Sequence, residues 1–444
     1  MSSEVFRTYD IRGLVDKELT EHDAEKIGRA LGTFLKGGDI ITGYDVRESS
    51  RRIHDLFVKG AIGAGCNVSG IGISSSPMLF FNCWQQKKFG AITTSSHNPY
   101  QYNGFKFVDK NGCSFVDQYT EIKRIFEEEA FAEGKGKFNE INGTMPYTDF
   151  LASKIKIKKP VKAVVECLHA SAGLLTPYLF EKAGIETIPI NSKPSPTFNN
   201  SRPEPKGENL QQMREAIIEN NADFGVALDG DADRSVMMDD KGRELNGSMS
   251  SAVFIKSILN KKKGAIVMTV DCNSELKQLV ESLGGELAWS EVGHGFIGKA
   301  VHDKKALYGG EMSSHMWFEF YPFSDGFLAG LKMAELLSKT GKSLSGLVDE
   351  TRLAPMDKAY ISCGTHKKKE AVLKKLIGKF SKEQNKTMLR DGIKFFLNEL
   401  EWVYIRKSNN MPEVCLVIEA KNNERLKELH AFYKKIIDET INNI

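Results

Sequence analysis

The chain of 444 residues contains no apolar run approaching the ~18 residues that a membrane-spanning helix requires. No signal-like apolar segment follows Met1 either. These absences exclude a helical membrane span and lead to the expectation of a cytoplasmic protein. The seven cysteines are scattered without a C-x-x-C pair, and an odd count suits reduced thiols. Strong net charge is also missing. Sixty-one Lys and Arg against 58 Asp and Glu leave +3, too balanced to argue for nucleic acid or a membrane surface as a partner. The basic clusters Lys261-Lys262-Lys263 and Lys367-Lys368-Lys369 read as solvated faces.

What is present is length, enough for several domains at roughly 150 residues each, and a weak internal repeat. A strand running into a polar loop, Ile40 to Asp45, precedes a helix-like segment, Ile53 to Gly65, and a second apolar run, Val68 to Ile73. The order recurs in Ala163 to Glu166, Leu174 to Lys182 and Gly184 to Ile188. It recurs again in Ala265 to Val270, Ser274 to Leu283 and Glu286 to Trp289. Three such copies predict three related α/β domains, over 1–150, 151–242 and 243–354. Beyond Ala354 the pattern changes to a helix from Lys367 to Phe380 and three strand-like runs. A closing helix follows with Leu426, Leu429, Tyr433 and Ile436 on one face, which predicts a smaller α+β domain over 355–444.

Four stretches carry chemistry. Thr93 to Pro99 follows the apolar run Phe89 to Ile92 and ends in an Asn98-Pro99 turn, so a hydroxyl is displayed on a fixed loop beside His97, with Lys106 following. Serine needs an adjacent base, a metal or a cationic field to react, and these two residues are the nearest source of such a field. The second stretch is Asp229-Gly230-Asp231-Ala232-Asp233-Arg234 between two strand-like runs. Three carboxylates at alternate positions repel one another unless a hard cation neutralises them. A calcium EF-hand is rejected because Arg234 and Asp240 stand where that loop needs Gly and Glu, which leaves Mg²⁺. Third, after the strand-like Ala306 to Tyr308, Glu311, Ser313 and His315 alternate, so an extended segment would point all three to one side, as a row of sugar-hydroxyl partners. Gly293-His294-Gly295-Phe296 offers a further imidazole on a flexible loop. Fourth, Arg406-Lys407-Ser408-Asn409-Asn410-Met411-Pro412 lies between two strand-like runs and has the donors of a phosphate nest. Near the start, Arg12 in Phe6-Arg7-Thr8-Tyr9-Asp10-Ile11-Arg12-Gly13 could present its guanidinium into a cleft.

The order FRTYDIRG, TTSSHNPYQYNGFK, DGDADR, GGEMSSH and RKSNNMP resembles the α-D-phosphohexomutase superfamily over essentially the whole chain, on its phosphomannomutase/phosphoglucomutase branch. The resemblance implies four domains around a central cleft and a phosphoserine at Ser96. It implies Mg²⁺ held by Ser96, Asp229, Asp231 and Asp233. Arg12, Lys106 and Arg234 would neutralise the transferring phosphoryl group, His97 would support Ser96, and His315 would act as general base and acid. Tyr9, His294, Glu311, Ser313, Arg406, Ser408, Asn409 and Asn410 would bind substrate. The implied reaction interconverts hexose 1- and 6-phosphates through a 1,6-bisphosphate that also activates the enzyme, in a monomer or homodimer. A phosphoglucosamine mutase and a non-catalytic sugar-phosphate-binding homologue are the alternatives. Ser95, Ser314, Asn410, Glu291, Gly298 and Arg202 depart from the family pattern, and they bear on sugar preference and phosphate affinity.

Overall fold

The computed structural model describes residues 3–382, 386–389, 391–408 and 411–444. Four sheets follow one another along the chain. The first is six-stranded, in the order Ile11–Leu14, Tyr102–Val108, Phe89–Thr93, Asp39–Tyr44, Asn67–Ile73 and Phe138–Glu140. The second is five-stranded, in the order Glu244–Leu245, Ser235–Asp239, Phe224–Leu228, Lys162–Glu166 and Glu186–Ile190. The third has four strands, Glu286–Ser290, Ala265–Thr269, Tyr308–Gly310 and Met316–Phe318. Central strands such as Phe224–Leu228 are buried along their whole length, as near-continuous apolar runs require.

One arrangement is common to all three. Phe89–Thr93, Phe224–Leu228 and Tyr308–Gly310 each pair parallel with one neighbour and antiparallel with the other. The loop that leaves the C-terminal end of each strand returns as the antiparallel partner. These loops carry Ser96, the three aspartates and Glu311. Ligand sites in α/β sheets form at the carboxyl ends of strands, so the repeated topology delivers three chemically different loops to equivalent places.

The fourth sheet is antiparallel throughout, in the order Met356–Ser362, Glu413–Glu419, Glu401–Lys407, Gly392–Asn398 and Lys386–Leu389. The helices His366–Phe380 and Asn423–Asn442 bury Val372, Leu376, Leu429 and Tyr433 against one face. The other face carries Lys358, Tyr360, Tyr404 and Arg406 as neighbours by register, since Tyr360 and Arg406 both pair with Cys415.

The first three sheets share one apolar core from Ile41 to Val348. Each fully buried Val, Leu, Ile or Phe in it contributes about 1.5–3 kcal/mol. The helix Thr144–Ser153 runs across residue 150, and its Tyr147 hydroxyl donates to Asp325 at 2.9 Å, at the start of the helix Gly326–Thr340. Asp325 caps that helix by accepting from the Leu328 amide at 3.0 Å. Among the described residues no helix is long and apolar enough to cross a membrane, and all seven cysteines are free thiols.

The structure corrects two of the expectations above. Gly309 and Gly310 belong to the strand, which runs Tyr308–Gly310 rather than ending at Tyr308. Lys369 is not on a solvated face. It is 4% exposed, and its ammonium donates to the carbonyls of Ser408 at 2.8 Å and Met411 at 3.3 Å. The helix turns this third lysine of the run inward, while Lys367 stays exposed.

Candidate active site

Ser96 sits in the left-handed region, at φ +51°, on the loop after Phe89–Thr93. A β-carbon pays sterically there, so neighbours must hold the residue. Its amide donates to Thr94 Oγ1 at 3.0 Å. Its carbonyl receives Arg47 Nη2 at 2.6 Å. The Arg47 guanidinium also donates to the carbonyls of Pro99 at 2.6 Å, Asn98 at 2.9 Å and Tyr102 at 3.3 Å, and to Asp45 Oδ2 at 2.9 Å. Both side chains of the Asp45–Arg47 pair are 0% exposed, and the Phe198 ring covers the guanidinium, its centroid 4.9 Å from Cζ. Arg12 ties the same loop from the other side, donating to Ser95 O at 3.1 Å and Asn98 Oδ1 at 3.2 Å.

The Ser96 hydroxyl donates to Asp229 Oδ2 at 2.9 Å, and His97 Nδ1 lies 3.3 Å from it. Ser95 Oγ is buried without a hydrogen-bond partner, so of the two serines Ser96 faces the acidic loop. The two loops touch: a β-carbon on Gly230 would stand 2.2 Å from the Ser96 carbonyl oxygen, so glycine is required there.

Asp229, Asp231 and Asp233 are buried, with one carboxylate oxygen of each within 4.8 Å of the others. Lys106 Nζ donates to Asp231 and Asp233, both at 2.6 Å, and Ser76 donates to Asp231. Burial, reinforced by Asp233 and Asp231, pushes the Asp229 carboxyl up to about 7. Burial acts in the same sense on Asp233, but Lys106 and His315 hold it well below the usual carboxylate range. Arg234, 3.8 Å from Asp229, is a third cationic neighbour of the triad beside Lys106 and His315. Asp231 Oδ1 is moreover buried with no hydrogen-bond partner. An oxygen-rich set of this kind, with one buried oxygen left without a donor, fits a divalent cation such as Mg²⁺.

His315 joins the second loop to the third. Its Nε2 is 3.1 Å from Asp233 Oδ1, and its Nδ1 is 2.9 Å from Glu311 Oε2. Burial opposes a charge on this ring, but Asp233 and Glu311 raise it to about 9. Glu311 also accepts from Ser313 Oγ at 2.6 Å and from the Gly293 amide at 3.1 Å; burial would raise its carboxyl, but His315 and Ser313 hold it at about 2. The expected extended row is corrected here. Residues 311–315 form a turn, closed by Glu311 N–H to His315 O at 3.1 Å, with Ser314 at φ +69°. The three side chains converge because the chain folds back. The flexible loop expected around His294 is also corrected: His294 opens the helix His294–Asp303, with Gly293 at φ +137° before it. The His294 ring meets Tyr9 edge-on at 4.6 Å, and burial together with Lys106 depresses it to about 3. His97 is likewise held neutral, by burial and then by Arg234 and Arg12.

These groups line one open cleft, to which all four sheets contribute. Of the predicted residues, Tyr9, Arg12, His97, Lys106, Arg234, His294, Glu311, Ser313, His315, Arg406 and Ser408 line it. The Ser96 hydroxyl and the aspartates stand directly behind His97 and Lys106. Asn409 and Asn410 lie outside the described residues. Ser408 Oγ accepts from the Met411 amide at 3.2 Å, so its hydroxyl closes the described part of the loop. The sequence reading missed Arg47, which a D-x-R step after a strand signals only weakly, and the cleft residues Lys206, Lys358 and Tyr360. The cleft holds seven cations, Arg12, Lys106, Arg202, Lys206, Arg234, Lys358 and Arg406, against Glu204, Glu311 and Glu413. That imbalance suits a ligand with more than one negative group.

Comparison with known proteins points the same way. The phosphoglucomutase/phosphomannomutase alpha/beta/alpha domains I, II and III match residues 3–133, 145–242 and 246–353. A phosphoglucomutase/phosphomannomutase of Thermococcus kodakarensis is 30% identical, over 99% of each chain. A probable phosphoglucosamine mutase of Methanobrevibacter smithii is 32% identical, again over 99% of each. The crystal structure of a phosphoglucomutase/phosphomannomutase family protein from Burkholderia thailandensis superposes with a TM-score of 0.87 at 26% identity, covering 99% of this chain and 98% of that one. Aspergillus fumigatus N-acetylphosphoglucosamine mutase, solved with GlcNAc-6P and magnesium, shares the fold at a TM-score of 0.58 and 13% identity, over 98% and 94% of the two chains.

Proposed function

Because the chain belongs to the phosphoglucomutase/phosphomannomutase family, we propose that it interconverts the 1- and 6-phosphates of mannose and glucose through a phosphoserine at Ser96. The observation that carries this reading is the Ser96 hydroxyl, 2.9 Å from Asp229 of a buried acidic triad, behind the His97 and Lys106 of a cleft also lined by Arg406 and Ser408.

Ser96 first receives its phosphoryl group from a hexose 1,6-bisphosphate, which departs as a monophosphate. In turnover the bond from Ser96 Oγ to phosphorus breaks while phosphorus bonds to the free hydroxyl oxygen of a hexose monophosphate. That hydroxyl's proton passes to the deprotonated form of His315, a form that Asp233 and Glu311 make scarce below a pH of about 9, and the electron pair of the broken bond remains on Ser96 Oγ. The bisphosphate turns end for end, and the reverse transfer releases the isomeric monophosphate. Phosphoryl transfer depends on positioning and charge neutralisation, which Arg12, Lys106 and Arg234 supply around the moving group. Mg²⁺, held when bound by Asp229, Asp231, Asp233 and Ser96, would supply further charge at the transferring oxygens. His97, kept neutral, takes the Ser96 proton when the serine is first phosphorylated and returns it to Oγ after the phosphoryl group has left. Glu311, Ser313, Tyr9 and His294 hold sugar hydroxyls, and Arg406 and Ser408 take the phosphate that is not reacting.

The test is ³¹P NMR with Mg²⁺ and a trace of glucose 1,6-bisphosphate, with mannose, glucose and glucosamine 1-phosphates in parallel tubes. Conversion of the first two to 6-phosphates is expected. Conversion of glucosamine phosphate alone would replace this reading with a phosphoglucosamine mutase. No conversion in any tube would refute a mutase.

A further inference from the structure

A mutase of this kind must hold a bisphosphate while neither phosphate sits in its productive place. During the turn the group at the Ser96 end and the group at the Arg406 end leave their grips together, and a cation on the wall between them would keep the intermediate from escaping. Arg202 has that position. It lines the same cleft as His97 and Arg406, on a segment whose Pro203 carbonyl is bonded to the aspartate loop and whose Lys206 reaches Tyr360 of the fourth sheet.

Its backbone is rigidly placed. Asn209 Nδ2 donates to the Arg202 carbonyl at 2.8 Å and to the Glu204 carbonyl at 2.9 Å, and the Gly230 amide of the aspartate loop donates to Pro203 O at 3.0 Å. The guanidinium is therefore delivered from a loop pinned to the acidic triad. Its partnering is poor. Its Nε is buried without a hydrogen bond, and Glu204, its ion-pair partner, is 3.8 Å away and bonded more closely to Lys206, at 3.1 Å. The side chain as a whole is 41% exposed, so its guanidinium is accessible to a ligand in the cleft, and a planar fork suits phosphate oxygens.

We propose that Arg202 is a third phosphate-binding guanidinium of the cleft, which grips the hexose bisphosphate during its turn and so retains the intermediate. The inference rests on the mutase reading. Lys206 closes the same wall, its ammonium 5.3 Å from the Tyr360 ring of the fourth sheet, so the Arg202 loop also bridges toward the phosphate-loop side.

The experiment uses full-length enzyme carrying ³²P on Ser96, mixed with excess glucose 1-phosphate and separated rapidly from small molecules. The readout is the share of transferred label that appears as free bisphosphate rather than 6-phosphate. Because it is normalised to label that has left the protein, misfolded molecules do not contribute. Arg202→Gln is expected to raise this share about tenfold over wild type, and Arg202→Lys, which keeps the charge without the fork, to fall between. A share within twofold of wild type in Arg202→Gln would overturn the inference while leaving the mutase intact. Failure of the wild-type label to reach any sugar would overturn the mutase reading, and the inference with it.

Discussion

Replacing Arg47 with methionine tests whether the Ser96 loop is held as the structure implies. The substitution removes the cation from a wholly buried ion pair and leaves Asp45 with the Ser50 hydroxyl and Thr94 Oγ1, the latter at 2.7 Å, as side-chain donors. Breaking one side of a buried pair costs about 3–5 kcal/mol. The carbonyls of Ser96, Asn98, Pro99 and Tyr102 lose their donor as well, but water entering the opened loop can satisfy part of that. A local loss of about 4 kcal/mol is therefore expected, and at 1.4 kcal/mol per factor of ten this is about 10³ in the opening equilibrium. The assay is native-state hydrogen exchange at the Thr94 amide, which donates to Gly104 O at 3.0 Å in the same loop. Protection there should fall about 10³-fold, and adding Asp45→Asn, which removes the stranded charge, should restore about tenfold. Protection within threefold of wild type in Arg47→Met would refute the reasoning.

Other consequences can be checked directly. Chelation should abolish turnover and Mg²⁺ should restore it; Asp231→Asn should raise the Mg²⁺ concentration needed for half-maximal rate at least ~10-fold, and an unchanged requirement would remove Asp231 from the metal site. Lys369→Met should raise KM for hexose phosphate about tenfold, more than it lowers kcat, because it releases the Ser408 and Met411 carbonyls of the phosphate loop. Equal KM in steady-state assays would show that this tie is idle. Lys394 donates to Val270 O at 2.7 Å beneath the Trp402 ring, and burial lowers its ammonium to about 8. A folded-state value below the ordinary lysine value means that the charged form costs stability at pH 7, and that this cost is relieved as pH rises from about 8 toward the unfolded value. Lys394→Met should thus be more stable than wild type at pH 7 by about 3 kcal/mol, with the gap in thermal midpoint closing by about pH 10.5; a gap independent of pH would contradict this.

Much of the fold was legible because its signals are local. Apolar runs such as Phe224–Leu228 and the alternation of strands with single helices reveal the α/β units, and three carboxylates at alternate positions point to the buried acidic cluster from charge repulsion alone. The readings that failed are those in which contacts distant in sequence decide the geometry. Glu311, Ser313 and His315 alternate like a strand, but a turn brings them together and Asp233, 82 residues away, orients the imidazole. Lys369 looks like one more surface lysine until the chain returns 39 residues later to set Ser408 O above it. Arg47 could not be recognised as a loop anchor because its acceptors, the carbonyls of Ser96 to Tyr102, lie 49 to 55 residues away and bear no side-chain signature. Nor does any residue type announce the left-handed conformation of Ser96, which neighbouring groups impose.

The measurement that tests the central claim most directly is peptide mapping of the protein after brief exposure to ³²P-labelled glucose 1,6-bisphosphate and Mg²⁺, followed by a chase with unlabelled mannose 1-phosphate. The account predicts one label per chain, on Ser96, that is discharged to sugar by the chase and is absent in Ser96→Ala. Label on Ser95, or label on Ser96 that survives the chase, would contradict it.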